Sequence, residues 1–380
     1  MAEAGIEEAL THLFHNASNR ATEGWTLVDG NVVKERWLGS NKVVTIITAA
    51  NPPEIIAKAY VQVPLRTNFI EPPRTIRATT TNDALFAKGM VAKGQIDLSG
   101  NRIMTDSFDS TDPAYSTNGR YDPAKNKDGG DVATNAAVID SLNVWNAEIY
   151  GKASTGPGGT VRIGPTGSVG SKAWHAAGKK GLEPGWTSDD MNIYFPEVKA
   201  PFSGGAFSIG GTGGLVDGVN YSYILGPGNY ETSELELRNQ QMLVTGHAVL
   251  YVRGDVEVSG LGGIRIAPGG SLKLFVKGNE ASLGGNGVIN ETGNAANFSY
   301  YGLPSNKSVT MAGNATFVGT IYAPNAALTL SGSGSSDTDF VGSSVSNTVK
   351  MNGHFKFHYD ESLGKFGPRR GYTVTSWNEI

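Results

Sequence analysis

Residues 249–289 read VLYVRGDVEVSGLGGIRIAPGGSLKLFVKGNEASLGGNGVI. They carry apolar residues in pairs two positions apart: Leu250/Val252, Val256/Val258, Ile264/Ile266 and Leu272/Leu274. The pairs step by 6, 8 and 8 residues, so the fourth falls 22 after the first. Gly254, Gly260, Gly262, Gly263, Gly269 and Gly270 stand between them. A spacing of two puts both members of a pair on one face of a strand. Short strands, glycine corners and three faces per coil of roughly 20–25 residues predict a parallel β-helix. The rival is a β-sandwich, whose strands average about 5–6 residues; the pairs here are shorter and more regular. Similar pairs at Val309/Met311 and Leu328/Leu330, with Phe317 and Ile321, extend the pattern to about residue 355.

Upstream the texture changes. Ile6, Leu10, Leu13 and Ala17 share one face of a helical period, predicting a helix over 2–18. Residues 25–65 alternate instead, with Asp29-Gly30-Asn31 marking a hairpin turn and Asn51-Pro52-Pro53 a break. The expected fold is therefore mostly β: a right-handed parallel β-helix preceded by an N-terminal α-helix and a small antiparallel β-meander. The expected domains are 1–70 (helix plus meander), 71–355 (β-helix with loop insertions at 104–131 and 171–202) and 356–380 (a C-terminal capping strand and tail).

Glycine, at 51 of 380 residues, is roughly twice its usual share of about 7%, while proline is ordinary at 17, so the glycines serve turns and close packing. The net charge is −4 and no long basic run occurs, which argues against nucleic acid as a partner. The absence of cysteine excludes disulfides, zinc thiolates and thiol nucleophiles. No run approaches the ~18 apolar residues of a membrane span, and Met1–Ala4 has neither the basic nor the apolar part of a leader.

Two stretches resemble a known family. AEAGIEEALTHL at the start is similar to the sequence that follows the membrane-embedded part of the N-terminal helix in PilX-like type IV pilin-family proteins. FVGTIYAPNAALTLSGSG (317–334), DFVG (339–342) and MNGHFKFHYDESL (351–363) resemble an uncharacterised C-terminal β-rich domain of such envelope proteins. The resemblance implies a pilus-associated protein at the cell surface, with pilin-like subunits or surface components as partners. The apolar half of the helix is missing from this chain, which implies a native anchor outside this sequence and no membrane contact by the chain itself. The family supplies no catalytic residues.

Candidate chemistry is sparse. On a strand, His354, Lys356, His358 and Asp360 share one face and Phe355, Phe357 and Tyr359 the other. His354, His358 and Asp360 are metal-ligand types, yet the histidines lie about 13 Å apart along a straight strand. Asp128 and Asp131, in Asp128-Gly129-Gly130-Asp131, and the pair Asp189-Asp190 are oxygen-rich turns of the kind calcium takes. Calcium is thus the one ion considered, and no other cofactor is expected. Ordinary turn chemistry accounts for the same residues. Trp174, Trp186 and Tyr194, with Phe195, form either a stacking platform for a ligand such as polysaccharide or the pins of a long loop. Asp255 and Glu257 alternate after Arg253, as a carbohydrate-active β-helix would need, or as a solvated outer face would show.

The function expected is a non-catalytic structural or adhesive component of a bacterial pilus-like or cell-surface assembly, located extracellularly. The alternatives are a β-helical polysaccharide lyase or hydrolase, and a self-assembling fibre subunit whose strand edges polymerise unless capped.

Overall fold

The computed structural model describes residues 1–13, 21–50, 52–66, 68–100, 102–313, 316–333, 338–366 and 369–380. They fall into two compact units, residues 1–85 with 368–380, and residues 86–367.

The first unit is helix α1 (Ala2–Thr11) with strands β1 (Thr26–Val28), β2 (Asn31–Leu38), β3 (Asn41–Ile47), β4 (Glu54–Tyr60) and β5 (Arg74–Ala84). Residues 14–18 of the predicted helix lie outside the described residues. The strands pair antiparallel in chain order, and a C-terminal strand, Arg369–Glu379, adds to β5. Asp29 (φ 49°) and Gly30 (φ 80°) form the two-residue turn between β1 and β2, where left-handed backbone matches the strand twist. Ala2, Ile6 and Ala9 of α1 pack with Val43, Ile47, Ile55, Ala57, Ile76 and Ala78. Gly5 permits this approach: a Cβ there would lie 2.5 Å from Thr45 Oγ1.

The second unit is built of parallel strands in three ladders. In the first, the register Phe207, Tyr230, Leu250, Leu274, Tyr300, Ile321, Ser344, Met90, Val132, Ala153, Thr187 runs through successive neighbours. The second passes from Leu235–Arg238 through Val256–Ser259, Glu280–Gly285 and Ser308–Gly313 to Ala327, Thr348, Ile96–Asp97, Leu142–Trp145 and Val161–Ile163. The third joins Tyr223–Leu225, Gln241–Val244, Gly263–Ile266 and Gly287–Asn290. It resumes with Phe317, Phe340, Lys356–Asp360, Met104–Phe108, Glu148–Tyr150, Ser168–Gly170 and Gly181–Leu182. The four apolar pairs of residues 250–274 all point inward and are buried to 2% exposure or less. The glycine corners are contact points between strand layers: a Cβ on Gly262 would lie 1.7 Å from Leu237 O.

The stacking order is not the chain order. Met90–Ala92 and Ile96–Asp97 pair with Phe340–His354, and Met104–Phe108 with Lys356–Asp360. Residues 86–188 therefore continue the stack that residues 207–360 build, and the two halves meet at its middle. Segment 189–206 must return from one end of the stack to the other. It does so over the first ladder: Met191 N–H donates to Thr155 O, Asn135 brackets Ile193, Tyr322 Oη donates to Pro196 O, and Phe202 meets Tyr251 edge-on. Extended chain from Met191 to Phe202 reaches about 36 Å, against about 34 Å for the seven strand steps crossed at roughly 4.8 Å each.

Two expectations need correction. Lys356–Asp360 lies inside the third ladder, and Arg369–Glu379 completes the antiparallel sheet, so residues 356–380 do not form a capping tail. An alternating strand carries the same pattern whichever sheet it joins. The expected loop 104–131 begins with a strand, Met104–Phe108, and only residues 109–131 leave the ladder.

Candidate functional site

Segment 109–131 folds over the outside of the third ladder and buries His358 and Asp360 of the polar face of Lys356–Asp360. His358 and Asp106 are register partners, both fully buried, with His358 Nδ1 2.5 Å from Asp106 Oδ1. The Tyr121 ring stacks on the imidazole, centroids 3.6 Å apart, and its Oη donates to Asp106 Oδ2 at 2.7 Å. Asn126 Nδ2 donates to the same oxygen at 2.9 Å. The carboxylate thus has hydrogen-bond partners for both oxygens, which its burial demands. Asp360 Oδ1 accepts the N–H groups of Ser110 and Ser362, while Ser107 and Lys127 both meet Glu361. Burial pushes the Asp109 carboxyl up, but hydrogen bonds from Lys365 and Thr111 outweigh it and hold the group below its ordinary range.

In front of Tyr121 lies a groove of about 780 Å³, lined among others by Arg120, Ile289, Glu291, Thr316 and Val341. It lies where the third ladder breaks: Gly287–Asn290 makes no strand pairing to Phe317 among the described residues, and a single bond from Asn290 Nδ2 to Val318 O crosses there. Arg120 Nη2 donates to Glu291 O at 2.9 Å and closes one side. An aromatic ring backed by an imidazole, beside a guanidinium and hydroxyls, suits a polar ligand with one apolar face.

The residues singled out from sequence are dispersed. His354 sits at a strand corner, whereas His358 is held by Asp106 and Asp360 by two backbone amides. Asp128 accepts from Lys172 N–H, and Asp131 pairs with Lys88 Nζ at 3.0 Å and accepts from Lys152 N–H. Among the described residues no three His, Asp or Glu side chains gather in a group that could hold a metal ion. Trp174, in the short helix Lys172–Ala176, packs at Gly170 of the third ladder under Lys179 Nζ. Trp186 accepts from Ala153 N–H on the first ladder, and Tyr194 is an exposed residue of the returning segment. Trp174 thus lies on the third ladder, and Trp186 and Tyr194 lie along the first. Glu257 pairs with Arg238 at 2.8 Å, and Asp255 Oδ1 accepts Glu280 N–H.

Asp106, Tyr121 and Arg120 escaped the sequence reading. Asp106 and His358 are 252 positions apart, and no local pattern links them.

Residues 209–366 match the model of a family described as a domain of unknown function (DUF7305). No curated protein matches the chain. Among solved structures, the chain is similar to the competence-associated pilin ComZ from Thermus thermophilus, with a TM-score of 0.33 and 12% identity over 100% of this chain and 96% of that one.

Proposed function

We propose that this chain is a non-catalytic structural and adhesive component of a bacterial pilus-like surface assembly, and that residues 86–360 wind as a right-handed parallel β-helix. The observation that carries the reading is the insertion. The long stack leaves the antiparallel sheet after β5 and returns to it at Arg369–Glu379, the strand beside β5. Two covalent links, one at each end of residues 86–367, joining the stack to a small helix-and-sheet unit are a connectivity that suits a displayed module. The Ala2–Glu8 stretch, with its resemblance to pilin-family helices, marks α1 as the element facing other pilin-like subunits. The groove beside Tyr121 is the adhesive site.

A polysaccharide-processing enzyme would need two available carboxylates in a groove. The nearest candidates, Asp255 and Glu257, are engaged between neighbouring strands, which favours the scaffold. Antibodies against residues 86–367 are expected to label intact cells and to follow the sheared filament fraction. Labelling confined to the cytoplasm would overturn the surface reading. Turnover of any member of a polysaccharide panel, with calcium present, would overturn its non-catalytic part.

A further inference from the structure

A second groove, of about 660 Å³, lies away from Tyr121 at the corner between the second and third ladders. Its wall is a column of corner residues, each two positions before a strand of the third ladder: His354, Arg102, Asn146 and Thr166. The strands they introduce are successive neighbours, since Lys356 registers with Met104, Met104 with Glu148, and Glu148 with Ser168. At roughly 4.8 Å per step the column runs about 15 Å along the stack. Arg102, Lys180 and Lys356 face one carboxylate, Glu148, which Lys180 holds at 3.0 Å. Arg102 is exposed and makes no ion pair among the described residues. At the margin, Asp339 accepts Lys356 N–H. The wall is thus cationic in a chain whose net charge is −4.

We propose that this groove binds a linear acidic polysaccharide, with its carboxylates on Lys356, Arg102 and Lys180 and its hydroxyls on Asn146 and Thr166. A groove along the stack admits a linear polymer. A uronate chain repeats one carboxylate and free hydroxyls per sugar, matching a wall with Lys356 and Arg102 at one end, Lys180 at the other, and Asn146 and Thr166 between them. Among the described residues no Phe, Tyr or Trp lines the groove, so it lacks the large stacking rings of single-stranded nucleic-acid sites. Three cations fall short of the clustered contacts that hold a duplex. The site spans the middle of the stack, because His354 and Lys356 come from one half and the rest from the other. The proposal does not depend on where the chain is located.

The test measures binding of the full chain to polygalacturonate, dextran and a DNA oligonucleotide at about 50 mM salt, where charge contacts are strong. Polygalacturonate is expected to bind and dextran not to. Arg102→Glu with Lys356→Glu should raise the Kd at least about tenfold, a change of about 1.4 kcal/mol. Lys273→Glu, an exposed charge control on the first ladder, should change it less than about twofold. Lys180→Gln, at an exposed position, gives a second arm should the double variant misfold, with weakening of about threefold expected. Absence of polygalacturonate binding, binding that both groove variants leave unchanged, or equal affinity for DNA would each overturn the proposal.

Discussion

Asp339 lies half-buried where Lys356 begins its strand, and its Oδ2 accepts Lys356 N–H at 2.8 Å. Burial raises its carboxyl above the ordinary value, against the opposing pull of that bond and of His358, Lys356 and His354. A group whose folded pKa is raised stabilises the fold most at low pH, and that contribution is lost as pH rises through the folded pKa. Asp339→Asn keeps an acceptor for Lys356 and removes the charge. Its melting temperature should exceed the parent's at pH 7, with the gap closing as pH falls toward about 3, below the usual aspartate value. A variant less stable than the parent at pH 7 would show that the charge-assisted bond outweighs desolvation. The same strand shows how far single residues were legible. Alternation placed Phe355 and Phe357 inside, where both are buried. It left open whether His358 and Asp360 meet solvent or hydrogen-bond partners; both are buried, because segment 109–131 brings Tyr121 to His358 and Ser110 to Asp360. A strand's own sequence records its alternation and not the segment that later covers it.

At the scale of elements, the paired apolar residues of 250–274 foretold strands, corners and a parallel stack, because each strand needs only its neighbours to complete it. The return of segment 189–206 was legible only as an aromatic-bearing loop. Its route depends on which ends of the stack must be joined, and that follows from pairing between residues 90–97 and 344–350, which no local pattern records. One side chain fixes the route near its start: Asn135 Nδ2 donates to Ile193 O at 2.6 Å, and Oδ1 accepts Ile193 N–H at 3.0 Å. Asn135→Ala removes both bonds without disturbing the strand Val132–Thr134. A loss of about 1–2 kcal/mol follows for two partly exposed hydrogen bonds. Amide exchange should quicken across residues 189–198 while the inward strands keep their protection. Uniform loss of protection through the whole stack would mean instead that the segment is integral to global stability.

For the whole molecule, the decisive feature is that residues 86–367 form a unit whose chain ends meet at its middle. Tyr359 Oη donates to Phe86 O at 2.8 Å, so the entry and exit of the unit lie side by side. Its core, from Met90 to Phe357, shares no residue with the cluster around α1. The far side of the returning segment offers Gly204 and Gly205, both exposed, with no atom within 4 Å of their Cβ positions. A circular permutant can therefore join residue 366 to residue 86 through a short Gly-Ser linker and open the chain between Gly204 and Gly205. Its strands would then follow the stack in strict order, residues 207–360 first and 90–188 after. Pairs such as Ser344 with Met90 would become near neighbours in the chain. The interior contacts are those of the linear 86–367 fragment, so the two midpoints should agree within about 2 °C, a shift worth roughly 1 kcal/mol in a domain of this size. Refolding should be faster in the permutant, because the linear chain must close a loop of some 250 residues before its halves dock, and loop closure governs the rate more than the stability. Equal refolding rates would place the slow step within one half of the stack. A permutant that fails to fold while the linear fragment folds would show that the return segment must be tethered at both ends for the halves to find one another.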